Sequence, residues 1–155
     1  MNARTPLTRA KWLIGCAVAS IAIGAHAQSA GESADALLRD SEAVFKQLDA
    51  GQYGEVWTDA APFVKARIKQ DQFAADMQHA RQSVGTVSRR GWAQVTRIRY
   101  TNAATTPDGL YANVDYTTTL TSGATVYEKL SFRLEDDGRW HLTGYVPRQS
   151  QNFAQ

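Results

Sequence analysis

Cysteine is nearly missing from this chain: Cys16 is the only one in 155 residues. No run of like charges, low-complexity tract or internal repeat marks a disordered or repetitive architecture. Glycine-rich phosphate loops, nucleotide-binding fingerprints and serine-triad patterns are absent too. So is any uncharged apolar run beyond the first, Trp12 to Gly24. That run is shorter than the ~20 residues a bilayer-spanning helix needs, so no membrane span is expected.

What surrounds the run gives it a different meaning. Arg4, Arg9 and Lys11 precede it as a positive segment, and Ala25-His26-Ala27 follows with the small residues a signal peptidase accepts. Residues 1–27 are therefore expected to be a cleaved signal peptide, with the remaining chain periplasmic or secreted. Leu13-Ile14-Gly15-Cys16 has the outline of a lipidation box. Only Trp12 to Gly15 separate Lys11 from Cys16, too little apolar chain for a signal core, so Cys16 is expected to leave with the peptide. Without it, disulfides, thiolate metal sites and cysteine nucleophiles are excluded.

Cleavage also changes the charge. Of 17 basic residues Arg4, Arg9 and Lys11 depart, leaving 14 against 15 acids, a formal −1 in place of +2. A general affinity for nucleic acid is not expected of such a chain. Residues 28–33 read as a flexible lead-in, 34–148 as one α+β domain and 149–155 as a polar tail, a length suited to a single core.

Leu37, Leu38, Ser41, Val44, Phe45 and Leu48 share one stripe at helical spacing, and Gly51 can end that helix in the left-handed region. Tyr53, Val56, Trp57 and Ala60 continue the period as a short second helix until Pro62 forces a break or restart. Gln70 to Val84 is the third, with Phe73, Met77, Ala80 and Val84 on one face and Gly85 as its stop.

After Gly85 the period becomes two. Thr106-Pro107-Asp108-Gly109, Thr121-Ser122-Gly123 and Asp136-Asp137-Gly138 are turn signals that divide the rest into four extended segments. Alternation places Leu110, Ala112, Val114 and Tyr116 on one face of the second strand, with Val126, Leu130, Phe132 and Leu134 on the third and Trp140, Leu142 and Val146 on the fourth. Tyr145 is expected on the wet face with His141 and Thr143, and Arg97, Arg99, Lys129, Arg133 and Arg139 make that outer face basic. Its charge is ordinary for a one-sided sheet, yet it can also meet an anionic envelope component or serve a homodimer. The predicted fold is three helices packed on one face of a four-stranded antiparallel meander.

Asp49-Ala50-Gly51-Gln52-Tyr53 with Trp57, Gly85-Thr86-Val87 with Arg89 and Arg90, Asp108-Gly109 with Tyr111, Glu128, and Asp137-Gly138-Arg139-Trp140 with Gly144-Tyr145 resemble the exported bacterial family called domain of unknown function 4019. The similarity covers roughly residues 34 to 148. Phe73 stands where that family usually has tryptophan, an exchange that keeps an aromatic in the core. The resemblance implies an exported domain of nuclear transport factor 2-like or cystatin-like architecture, a group of enzymes, carriers and interaction modules, and it implies no particular chemistry.

The residues themselves offer little chemistry. His79 and His141 have no metal-ligand spacing to each other or to a cysteine, and Asp136-Asp137 is explained by its turn, so no metal and no cofactor are expected. Glu128 stands out, because it shares parity with Val126, Leu130 and Phe132 and should point under the helices. A buried carboxylate requires partners, which Tyr116 and Arg89 or Arg90 can supply, and Trp57, Trp92 and Trp140 are aromatics able to line a pocket beside it. The candidate ligand-binding residues are Glu128, Tyr116, Arg90 and Trp57. Two functions remain, a non-enzymatic module binding a small molecule or an envelope protein, and a small pocket enzyme with Glu128 as general base. An ion pair at the sheet margin is the structural alternative for Glu128, and tryptophans at such spacing are usually core, Trp140 above all.

Overall fold

The structure, a computed structural model, describes residues 33–150. The expected signal peptide, most of the lead-in and residues 151–155 of the tail lie outside the described residues.

Helix α1 (Ala34–Asp49) starts where the Ser33 hydroxyl accepts the amide of Ala36, so the last residue of the expected lead-in is a helix cap. Its stripe of Leu37, Ser41, Val44, Phe45 and Leu48 is buried as the spacing predicts. The chain leaves through Gly51 at φ +72°. Helix α2 (Tyr53–Thr58) is followed by Ala60 and Ala61, and Pro62 then begins a separate helix, α3 (Pro62–Arg67). Among the described residues four helices thus replace the expected three. Proline lacks an amide to donate, but the first helical turn has no acceptor for one, so Pro62 starts a helix as readily as it ends one. Helix α4 (Gln70–Gln82) buries Phe73 and Met77.

Strands β1 (Val87–Tyr100), β2 (Gly109–Leu120), β3 (Thr125–Leu134) and β4 (Trp140–Arg148) form an antiparallel sheet in the order β1-β2-β3-β4, the expected meander. Ala60 bridges to Leu142, and the Ala61 amide donates to the Leu142 carbonyl, which covers part of the β4 edge. The face bearing Ala112, Val114, Val126, Leu130, Phe132, Trp140 and Leu142 is buried with the helical stripes in one core. Each fully buried Leu, Val or Phe contributes about 1.5–3 kcal/mol.

Register shifts, two between β1 and β2 and one between β3 and β4, overturn the simple alternation. Between Ser131/Phe132 and their β4 partners the register shifts, leaving Thr143 as an extra residue. A bulge inverts parity beyond it. Tyr145 consequently turns into the core at 5% exposure, while Val146, expected inside, stands 47% exposed outside. On β1 the shift between Trp92 and Gln94 does the same: Arg97 pairs with Ala112 and Arg99 with Leu110, which places both arginines on the helix side of the sheet and not on the outer face. Lys129 and Arg133 keep the outer parity.

The corrected parity is testable by truncation. Leu130→Ala should cost about 2–5 kcal/mol in denaturant unfolding. Val146→Ala, a core truncation under unbroken alternation, should cost less than about 0.5 kcal/mol. A comparable loss from both would place Val146 inside.

Candidate functional site

Glu128 is the residue around which the polar interior is arranged. Its parity on β3 carries it under the helices, and it is 0% exposed. Three donors meet it. Arg90 Nε donates to Oε1 at 2.7 Å, the Thr118 hydroxyl to Oε1 at 2.6 Å, and the Tyr145 hydroxyl to Oε2 at 2.6 Å. Those are the partners an ionised carboxylate requires when it is removed from water.

Arg90 continues outward. Its Nη1 and Nη2 donate to the two oxygens of Asp49 at 2.9 and 3.2 Å, a fork-on-fork pairing, and Arg81 Nε donates to Asp49 Oδ1 at 2.8 Å. The result is a chain of alternating charge, Arg81, Asp49, Arg90, Glu128. It runs from the end of α4 across the end of α1 to β1 and β3, with Thr118 and Tyr145 joining from β2 and β4. Beneath the Arg90 guanidinium lies the Phe45 ring, 3.9 Å from its centroid. Phe45 in turn meets Tyr116 edge to face, ring centres 4.8 Å apart, and Tyr145 at 6.2 Å.

The electrostatics follow from this arrangement. Burial acts to raise the Asp49 pKa, but the hydrogen bonds and charges of Arg90 and Arg81 outweigh it and hold the carboxyl below its ordinary 3.8. Burial likewise acts to lower the pKa of Arg90, and its two carboxylate partners raise it. Tyr145 is pushed far up, first by burial and then by the negative charge of Glu128 beside it, so its hydroxyl remains a donor.

Of the expected site residues, the structure brings Arg90 onto Glu128. Tyr116 is the cross-strand partner of Glu128 but makes no hydrogen bond to it; its hydroxyl is buried near Ser41 without a bond of standard geometry. Trp57 lies elsewhere, its indole nitrogen donating to the Ile68 carbonyl and its ring near Lys65. Arg89 pairs with Thr119 across the sheet and is exposed. Trp140 is in the core at 3% exposure. His141, expected to be solvated, is held instead between the Asp59 carbonyl at 2.9 Å and the Asp137 carboxylate at 2.8 Å.

Three members of the network had a sequence signal of unequal strength. Thr118 follows Tyr116 by two residues on the same face of β2, so plain alternation suffices to find it. Asp49 ends the first helix inside the motif shared with the family. Tyr145 had only its place beside Gly144 in that same resemblance, because the bulge at Thr143 conceals its parity.

Above this network, between α1 and β1, opens a cleft of about 650 Å³ lined by Glu42, Phe45, Lys46, Arg90, Trp92 and Tyr116 among others. Trp92 is 59% exposed at its mouth. Glu128 is not part of its lining. Among the described residues no group of three or more His, Cys, Asp and Glu side chains is placed to hold a metal ion, and no helix is long and apolar enough to cross a membrane.

Two measurements test the network. Glu128→Gln keeps the shape but removes the charge opposite Arg90, and should cost about 3–5 kcal/mol, read as a lower melting temperature; an unchanged melt would remove its structural role. As for pH, a carboxyl whose pKa is lower folded than unfolded contributes stability above its unfolded value and loses it as pH falls through the folded one. Asp49 therefore predicts a loss of stability below about pH 4, and Asp49→Asn should flatten the melting profile there.

No curated protein matches the chain. A family match does exist: residues 40–145 fit the family described as Protein of unknown function (DUF4019). The match takes in α1 from Asp40, all four strands as far as Tyr145, and the Asp49, Arg81, Arg90, Thr118, Glu128 network, and the chain belongs to that family.

Proposed function

We propose that this domain is a non-enzymatic binding module of the cell envelope, exported by the segment ending near Ala27 and using the cleft between α1 and β1 as its recognition site. The observation that supports this best is the enclosure of Glu128. A general base must come within hydrogen-bond reach of the proton it removes, and Glu128 is 0% exposed, with hydrogen bonds to both of its oxygens. The enzyme alternative loses the residue it rests on. Of the charged groups that line the cleft, Asp49 and Arg90 are engaged with each other.

The cleft itself has the composition of a binding surface. Phe45, Trp92 and Tyr116 supply aromatic area, Lys46 and Glu42 stand among its lining residues, and Tyr116 carries a buried donor without a standard partner. Concave, mostly apolar sites with a few placed polar groups are what small ligands and single anchoring side chains occupy. The order of helices before a four-stranded antiparallel sheet supports a kinship with the nuclear transport factor 2-like and cystatin-like group, whose members include carriers and interaction modules.

Two observations check the proposal. Protein recovered after expression in a bacterium with its own export machinery should begin at Gln28 by mass spectrometry, and retention of Met1 would count against export. Trp92→Ala should weaken whatever ligand native mass spectrometry finds on the protein by tenfold or more, with the melt within about 0.5 kcal/mol of the parent. Turnover of a substrate, lost in a folded Glu128→Gln protein, would contradict the reading.

A further inference from the structure

The β1 strand differs from the other three in a way the cleft alone does not explain. Each of β2, β3 and β4 contains several buried residues, whereas none of the 14 residues of β1 is buried. Its sheet neighbour is β2, and among the described residues no backbone hydrogen bond joins its other edge to any element. A row of free amides and carbonyls is a template for another extended chain.

The side chains along this edge say which chain. Val87–Tyr100 contains Arg89, Arg90, Arg97 and Arg99 and no acid, in a domain whose expected mature charge is −1. Arg90 is committed to Glu128 and Asp49. Arg89, Arg97 and Arg99 are exposed and take part in no salt bridge among the described residues, although Arg97 lies 5.9 Å from the Trp140 ring. Arg89 stands on the outer side of the sheet, and Arg97 and Arg99 on the helix side with Trp92. An incoming strand would meet cations on both faces. A second copy of β1 would bring arginines against arginines, which disfavours pairing of the domain with itself. An acidic strand meets the opposite situation.

Gly91 adds an independent indication. It sits inside β1 between Arg90 and Trp92, its φ is not positive, and a Cβ added there meets nothing within 4 Å. The fold has no steric need of glycine at that point, and glycine within a strand often marks the close approach of another backbone.

We infer that β1 is a docking edge for an extended acidic segment of a partner protein, which adds as a fifth strand and pairs acids two residues apart with Arg97 and Arg99 while an apolar side chain reaches Trp92 and the cleft. This rests on the binding-module reading and gives that module a class of partner. Backbone pairing is what favours a polypeptide over an anionic lipid or glycan, since neither offers alternating amides and carbonyls.

The experiment is a selection of displayed random twelve-residue peptides on the purified protein, followed by synthesis of the enriched sequences. Enriched peptides should carry Asp or Glu at alternate positions. They should bind at least tenfold more weakly to the Arg89→Glu, Arg97→Glu, Arg99→Glu protein, whose melt should match the parent's, and should slow amide hydrogen exchange within residues 87–100 at least tenfold. Enrichment of neutral or basic peptides overturns the inference, as does a dimer in solution held through β1. So does binding that leaves β1 exchange unchanged; if that binding is lost in Trp92→Ala, the cleft-binding module stands while strand addition falls. A protein that enriches no peptide and carries no ligand overturns both.

Discussion

A carboxylate taken wholly out of water sets terms for everything near it. Glu128 is such a group, and Arg90, Thr118 and Tyr145 together offset the cost of its desolvation. Because Arg90 also grips Asp49, and Asp49 also grips Arg81, the arrangement ties α1 and α4 to every strand of the sheet. The apolar core supplies most of the stabilisation. What the charge chain supplies is position, since hydrophobic contact tolerates sliding and a forked arginine on two carboxylates does not.

This division of labour accounts for the cleft. The guanidinium of Arg90, stacked on Phe45 and fixed at both ends, forms a firm floor between α1 and β1. Phe45 is set in turn by the edges of Tyr116 and Tyr145. Recognition surfaces built on such supported side chains lose little freedom on binding. Trp92, one residue beyond Gly91 on the exposed strand, projects from this frame as the large apolar group that the fold leaves to solvent there.

The sequence carried the architecture in its periodicities and turn residues, because helical stripes and strand alternation are direct imprints of one-sided burial. Glu128 was legible on the same grounds: an acid in the parity of Val126, Leu130 and Phe132 had to be buried, and a buried acid had to be partnered. Legibility stopped at the bulges. An extra residue such as Thr143 leaves no mark in the alternation until its ladder partner is known, so Tyr145 and Val146 exchanged places, and the shift after Trp92 moved Arg97 and Arg99 to the other side of the sheet. Trp57 looked like a pocket residue by type alone. Its position on α2 gives it to Ile68 instead.

A double-mutant cycle measures directly whether the four charges act as one unit spanning helices and sheet. Asp49→Asn, Glu128→Gln and the double variant should be unfolded in denaturant under two-state conditions. Coupling through Arg90 predicts that the two losses fail to add, with an interaction energy of about 0.5–3 kcal/mol. Strict additivity would mean that Asp49 and Glu128 hold Arg90 independently, and that no such unit exists.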